Sequence, residues 1–254
     1  MEEKRDWLGM PDEIMGGMIL QRLDAVEILT SVKKVCRDWR RICKDPEMWK
    51  IIEIILPING RNRDIYQKLT KQVVHRSCGE LIDISLHFYT TDDLFDHVSR
   101  CSCKLNCLRL TDCYRITPCG LSNARKRLPH LETLELYYFH IGKGEEIELI
   151  GRSCPQLMSF EMEIMCAGGD VYARAIAKSM PALRHLKLFG LMYDDNGVQA
   201  ILDGCPHLES LDLRGCPYHD LDLDLDENLE KLCRERIIDF KYNISESEED
   251  SDTD

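Results

Sequence analysis

The chain lacks any apolar run long enough to cross a membrane. Its longest apolar stretch, residues 51–58, is interrupted by Glu53 and Pro57, whereas a membrane helix needs about 20 consecutive apolar residues. The segment from Met1 to Asp6 also lacks the basic start and apolar core of a secretory signal. We therefore expect no membrane insertion and a location in the nucleus, the cytoplasm or both, where the thirteen cysteines stay as thiols.

A basic stripe of the kind that binds nucleic acid is also missing. The formal net charge is −12, from 33 basic and 45 acidic side chains. Because neutralised phosphates supply most of the non-specific affinity for nucleic acid, this charge argues against that class of partner. Residues 243–254 hold six of the acidic side chains and are predicted to be a disordered tail. Ser247 in this tail precedes three acidic residues and is a candidate phosphorylation site, the alternative being a tail that only solubilises the chain.

Spacings typical of metal or catalytic sites are absent as well. Five cysteines crowd together at Cys101, Cys103, Cys107, Cys113 and Cys119, but without the paired C-x2-C units of common zinc sites. The alternating acids of residues 220–226 lack the glycine and the twelfth-position glutamate of a calcium loop. No glycine-rich phosphate loop or nucleophile elbow is found. We expect no metal, no cofactor and no catalysis by this chain alone.

What the sequence does contain is a leucine-rich segment that recurs at intervals of 24 to 26 residues. Its six copies, each with the pattern L-x-x-L-x-L, are Leu81/Ile84/Leu86, Leu105/Leu108/Leu110, Leu131/Leu134/Leu136, Leu157/Phe160/Met162, Leu183/Leu186/Leu188 and Leu208/Leu211/Leu213. This period and pattern are typical of leucine-rich repeats, in which each unit adds a short strand and a helical return. The sequence therefore predicts a short α/β solenoid, with a parallel sheet on the concave side and helices on the convex side.

The segments between the predicted strands fit the same unit. Residues 145–152, 171–179 and 196–203 have the pattern of helical returns, and a proline at each following hinge ends the helix and pre-sets the turn into the next strand. Cys113 and Cys216 fall at strand ends, where such repeats use Asn or Cys to satisfy loop backbone groups. Residues 229–233 resemble a further strand and are interpreted as part of a terminal cap.

The residues ahead of the repeats are predicted to be helical. Apolar spacing places helices near residues 12–23, 25–31, 32–42 and 64–76, and Asp12 is a candidate cap for the first. Gly16 and Gly17 weaken that first helix by about 1 kcal/mol each relative to Ala, so we expect packing to hold it.

Four motifs in this region together resemble an F-box. They are Trp7-Leu-Gly-Met-Pro-Asp-Glu-Ile14, Ile19-Leu-Gln-Arg-Leu23, Val35-Cys-Arg-Asp-Trp-Arg40 and Asp45-Pro-Glu-Met-Trp49. Joined to leucine-rich repeats, the chain resembles the plant F-box/LRR-repeat family. The expected organisation is an F-box of three helices at 1–51, a linker helix at 52–77, about six repeats with a C-terminal cap at 78–242, and the tail at 243–254. Met10 stands where that family usually has leucine, and methionine is of similar volume.

The resemblance implies a substrate receptor of an SCF-type cullin-RING ubiquitin ligase. Its F-box would bind a Skp-type adaptor and through it cullin and a RING protein, while the repeats would hold an unknown protein substrate. The residues implied in adaptor binding are Leu8, Met10, Pro11, Ile14, Leu20, Leu23, Val35, Cys36, Trp39 and Trp49. Alternatives are that the apolar residues among them pack on the first repeat, that Trp39 and Trp49 belong to the internal core, and that the chain is a free-standing LRR interaction scaffold outside any ligase.

The strand period of two residues predicts which side chains the repeats expose. With the leucines inside, the residues between and after them face the concave side. Arg109 should lie beside Glu135, and Glu161 beside Lys187, as exposed ion pairs. The sharper hypothesis is a docking strip anchored by Tyr137 and Phe189 that takes a basic and apolar partner segment. The predicted substrate-binding residues are therefore Arg109, Glu135, Tyr137, Glu161, Glu163, Lys187 and Phe189.

Overall fold

The described strands of this chain form parallel ladders in sequence order, and a helix follows each of them except the last. The structure, a computed structural model, describes residues 11–54, 62–124, 127–139, 141, 143–166, 169–191, 194–214 and 225–242. Contacts divide the chain into two units, residues 1–131 and 132–254. Several predicted residues lie outside the described ones, namely Leu8, Met10, Cys216, Ser247 and the acids at 220–224.

The first unit begins with a series of short helices. They are α1 (Asp12–Ile14), a π-helical turn (Met15–Ile19), a 3₁₀ turn (Leu20–Arg22), α2 (Ala25–Thr30), a 3₁₀ turn (Val32–Lys34), α3 (Arg37–Ile42) and a 3₁₀ turn (Pro46–Trp49). The long helix predicted at 32–42 is therefore wrong in one respect, because it breaks at Cys36. The backbone of Cys36 is extended, and its Sγ accepts a hydrogen bond from the Trp39 N–H at 3.4 Å, which starts α3.

Asp12 does not cap the first helix as predicted. Pro11 occupies the cap position and α1 has no side-chain cap. The Asp12 carboxylate instead receives two hydrogen bonds from the Arg41 guanidinium of α3, one of them at 3.0 Å. This bidentate pair joins the first and last α-helices of the N-terminal helical region, and the hydrogen bond from Arg41, together with its positive charge, lowers the pKa of Asp12.

The other described residues of the first unit form three strands and three helices. Its elements are β1 (Ile51–Glu53), α4 (Arg63–Arg76), β2 (Asp83–Leu86), α5 (Asp92–Cys101), β3 (Cys107–Thr111) and α6 (Pro118–Ala124). In β1, Ile52 pairs with Ile84 of the first predicted repeat. The ladder therefore starts one strand earlier than the repeats predicted from sequence.

The described residues of the second unit form five strands, and each described pairing between them is parallel. Its elements are β4 (Thr133–Tyr137), α7 (Gly144–Ser153), β5 (Ser159–Cys166), α8 (Gly169–Ser179), β6 (His185–Leu191), α9 (Asp195–Gly204), β7 (Ser210–Asp212), α10 (Glu227–Arg236) and β8 (Asp239–Lys241). The strand-like segment predicted at 229–233 is wrong, since it lies within α10. The last strand is β8, in which Phe240 pairs with Leu211.

The repeated apolar residues form the core, as predicted. All eighteen positions of the L-x-x-L-x-L pattern are 5% exposed or less. Residues that alternate with them along the strands, such as Glu135 and Tyr137, are partly exposed. This arrangement gives each unit an outward-facing layer of strand side chains, called here the strand face.

The helical layer depends on close approach of neighbouring helices. Gly204 at the end of α9 lies so near α8 that a Cβ atom there would be 2.4 Å from the backbone oxygen of Ala177. Each predicted proline hinge then forms a turn; after Pro206, for example, the Leu208 N–H donates to the carbonyl of Cys205 at 3.2 Å. Close helices and tight turns set the spacing of the strands that carry the strand face.

Candidate interaction surfaces

The N-terminal helices expose part of the predicted adaptor surface. Val35 is 61% exposed and Ile14 is 42% exposed. Pro11 is exposed as well, while Leu23, Cys36 and Trp39 are partly exposed. Apolar side chains left outside a filled core are the kind of surface that a protein partner covers. Adaptor contact by these residues stays a prediction.

Two of the predicted adaptor-binding residues are placed differently. Leu20 is fully buried and Trp49 is 1% exposed, so both belong to the core of the N-terminal region and offer no contact surface. The Trp49 indole N–H donates to the carbonyl of Cys43 at 3.1 Å inside this core. Helical spacing alone could not distinguish these buried residues from partly exposed Leu23. Apolar residues on the same side of a short helix give the same pattern whether they are buried or exposed.

Gly16 has a packing role that its low helix propensity concealed. It lies in the π-helical turn, and a Cβ atom there would be 3.1 Å from both Ile42 and Met48. These are side-chain contacts of α3 and the following 3₁₀ turn, so the absence of a side chain lets the first helical segment approach them. The result agrees with the expectation that packing holds this weak helix.

Arg76 ties the N-terminal helices to the helix that precedes the repeats, and sequence reasoning did not identify it. Its guanidinium lies 5.5 Å from the ring centroid of Trp49 and donates a hydrogen bond to the carbonyl of Cys43 at 3.1 Å. Arg76 is in the last turn of α4. A cation over an indole ring, combined with a charged hydrogen bond, fixes the two segments together.

On the strand face of the first unit, Arg109 is engaged within the chain. Its guanidinium lies 2.5 Å from the carboxylate of Asp83 on the neighbouring strand β2. The predicted position of Arg109 beside Glu135 stays a prediction. Arg109 therefore contributes to an ion pair on this face, which limits its availability to a partner.

On the strand face of the second unit, one predicted ion pair is confirmed. Glu161 of β5 and Lys187 of β6 are register partners, and their charged atoms lie 3.1 Å apart. The Tyr137 hydroxyl donates to the Glu161 carboxylate at 2.7 Å and to that of Glu135 at 3.2 Å. Partial burial and these carboxylates raise the pKa of Tyr137 well above its usual value of 10.0. Tyr137 is therefore a fixed neutral donor.

Glu163 lies between the two predicted aromatic anchors. It is the register partner of Tyr137 on one side and of Phe189 on the other, and all three side chains are partly exposed. Among the described residues, no basic side chain is within ion-pair distance of its carboxylate. The structure thus brings these predicted substrate-binding residues together on three consecutive strands.

Among the described cysteines, some are buried (Cys43, Cys107, Cys113, Cys205 and Cys233) and others are exposed (Cys78, Cys103 and Cys119). The thiol of Cys113 is fully buried and donates to the carbonyl of Leu86 at 3.4 Å, which confirms its predicted role at a strand end. Burial raises the pKa of Cys113 to about 12 and that of Cys205 to about 11. No group of three or more potential metal-ligating side chains was found within the part of the chain that the structure describes.

Comparison with known proteins agrees with this combination of helices and repeats. A family model described as F-box-like matches residues 7–54. F-box/LRR-repeat protein 23 of Arabidopsis thaliana is 41% identical over 93% of this chain. F-box protein SKIP19 of the same plant is 37% identical over 92% of this chain and 76% of its own length. The chain belongs to the F-box/LRR-repeat family.

Members of this family differ in length. The chain spans 53% of F-box/LRR-repeat protein 23 but 83% of F-box/LRR-repeat protein 21 of Arabidopsis thaliana, to which it is 35% identical. The F-box-like match ends at residue 54, so it includes β1, the first strand of the ladder. The F-box of this family member is therefore joined directly to its sheet.

Solved structures support the repeat fold. The leucine-rich repeat protein LegL7 of Legionella pneumophila superposes with a TM-score of 0.51 at 14% identity, covering 85% of this chain and 68% of that protein. A Bacteroides fragilis protein superposes with a TM-score of 0.54 at 14% identity, covering 94% of this chain and 73% of its own. Among the described residues, no helix is long and apolar enough to span a bilayer.

Proposed function

We propose that this chain is the substrate-recognition subunit of an SCF-type cullin-RING ubiquitin ligase. Its F-box binds a Skp-type adaptor, which connects it to cullin and a RING protein, and its repeats bind the protein to be ubiquitinated. Family membership supports this proposal. The observation that carries it is the exposure of Ile14 and Val35 on an F-box whose interior is already filled by Leu20 and Trp49.

The proposed role is non-catalytic. By holding a target and an adaptor on one chain, the protein makes ubiquitin transfer effectively intramolecular, and the resulting effective concentration accelerates it without a reacting side chain. Adaptor affinity would come from covering apolar surface, at about 25 cal/mol per Å² removed from water.

The test is co-purification of the full chain with a recombinant Skp-type adaptor. The variant Ile14→Glu/Val35→Glu places charges on the exposed apolar positions and leaves the buried Leu20 intact. Its matched control is Ile65→Glu/Ile238→Glu, which alters two isoleucines that are 50% and 87% exposed elsewhere. We expect the control to bind like wild type and the F-box variant to bind at least tenfold more weakly, since truncated anchors commonly cost 2 kcal/mol or more, roughly.

Circular dichroism of both variants establishes that each one is folded. Failure of the folded wild-type chain to bind any Skp-type adaptor would overturn the proposal and leave a free-standing interaction scaffold as the function. Equal losses in the two variants would show that the exposed F-box residues are not the contact.

A further inference from the structure

The second unit presents a carboxylate between two aromatic rings on three neighbouring strands. Tyr137 of β4, Glu163 of β5 and Phe189 of β6 are consecutive register partners. Adjacent strands are about 4.8 Å apart, so the two aromatic positions flank Glu163 with a separation of about 10 Å. This set is called here the aromatic-carboxylate cluster.

The basic side chains near this cluster are already engaged. Lys187 pairs with Glu161 at 3.1 Å, and Arg214 pairs with Asp212 at 2.6 Å. Among the residues that the structure describes, Glu163 has no hydrogen bond or ion pair to its carboxylate. The cluster therefore has the groups that attract a cation but receives none from its own strands.

The same chain contains a comparable set of groups that holds an arginine. In the C-terminal part, Arg234 donates to the Glu230 carboxylate at 2.7 Å. Its guanidinium lies 6.0 Å from the ring centroid of Phe240 and 5.9 Å from that of Tyr242. A carboxylate with two aromatic rings is thus an arrangement that this protein uses to bind a guanidinium.

We propose that Tyr137, Glu163 and Phe189 form a binding site for an arginine or lysine side chain in a basic segment of a partner protein. Glu163 accepts a charge-assisted hydrogen bond from the cation, and the two rings cover the side chain and offer their negative faces to it. This inference rests on the proposed function, because the partner is the protein that the repeats would present for ubiquitination.

The cluster is preorganised for such a ligand. The Tyr137 hydroxyl is held by the carboxylates of Glu161 and Glu135 at 2.7 and 3.2 Å, so its ring does not have to be ordered on binding. A rigid aromatic side chain loses little conformational entropy when it is covered.

The experiment is selection of a displayed library of random peptides on the full-length wild-type chain. We expect the selected peptides to be enriched in arginine and lysine relative to the input library. The dissociation constant of a selected peptide should rise about tenfold for Glu163→Gln and for Phe189→Ala. Glu145→Gln, which removes the charge of an exposed residue in helix α7, is the matched control and should bind the peptide like wild type.

Three outcomes would overturn the inference: a selection without binders, binders without basic enrichment, and basic peptides that bind Glu163→Gln as tightly as wild type. The adaptor experiment distinguishes this result from failure of the proposed function. If peptide binding depends on Glu163 but the chain binds no adaptor, the binding site is supported and the ligase role is refuted. If the chain binds the adaptor but peptide binding does not depend on Glu163, the ligase role is supported and the binding site is refuted.

Discussion

Replacement of Arg76 by alanine should destabilise the F-box region of this protein. Arg76 contributes a charged hydrogen bond to the carbonyl of Cys43 and a cation–π contact with Trp49. At this partly buried position the hydrogen bond is worth about 1 kcal/mol, because solvent weakens the 1.5–3 kcal/mol typical of charged hydrogen bonds, roughly. The cation–π contact adds about 0.5–1 kcal/mol. The expected loss in the free energy of unfolding is therefore about 1.5–2 kcal/mol.

The loss is limited because the Cys43 carbonyl is not left without a donor. The Trp49 indole N–H still donates to it at 3.1 Å, so no buried acceptor is orphaned. Arg76→Lys keeps a positive charge at the end of α4 but loses the planar group that stacks on the ring. We expect its loss to be about half that of Arg76→Ala.

The assay is urea denaturation of the full chain followed by tryptophan fluorescence, which reports on the N-terminal region because the three tryptophans are Trp7, Trp39 and Trp49. Arg100→Ala is the matched control, because Arg100 also lies in the last turn of its helix and forms an exposed i,i+4 ion pair with Asp96. Such pairs contribute about 0.3–0.5 kcal/mol. If Arg76→Ala and Arg100→Ala shifted the midpoint of the fluorescence transition equally, the contacts of Arg76 with Trp49 and Cys43 would stabilise the protein no more than an exposed ion pair does.

Three further predictions follow from contacts within the two units. Gly204→Ala should destabilise the second unit by about 1–3 kcal/mol, because its Cβ would collide with the backbone of Ala177; an unchanged melting temperature would contradict this. Tyr137→Phe should lose about 1–2 kcal/mol at neutral pH. Because folding raises the tyrosine pKa, that stabilisation is complete below the ordinary value of 10.0 and declines above it; the difference in unfolding free energy between wild type and variant, measured against pH, should therefore narrow only above pH 10. A thiol reagent at neutral pH should modify exposed Cys103 quickly and buried Cys113 only on unfolding. Mass spectrometry of labelled peptides measures both modification rates, and equal rates would contradict the prediction.

The repeats could be predicted because their core residues recur with the same short spacing in every copy. Each L-x-x-L-x-L segment places three apolar residues at strand spacing, and all of them are buried. The same alternation placed Glu161 beside Lys187 and Glu163 between two aromatic residues. Position along a strand is a local property, so it can be read from sequence.

The ends of the ladder and the inside of the F-box could not be predicted in this way. Strand β1 has a single buried residue, Ile52, and its pairing with β2 is what defines it as a strand. Leu20 and Leu23 have the same chemistry and lie three residues apart, yet one is fully buried and the other is partly exposed. That difference depends on which distant side chains surround each one.

The sequence by itself determined the family resemblance, the repeat period and the alternation of buried and exposed strand positions, because each depends on spacing within a short segment. Only the tertiary structure decided that Trp49 is a core residue in contact with Arg76, that Gly16 permits close packing, and that no basic side chain of the described residues reaches the Glu163 carboxylate. These relations join residues far apart in the chain. Their energies arise from packing and from the pairing of charges, which exist only once the chain has folded.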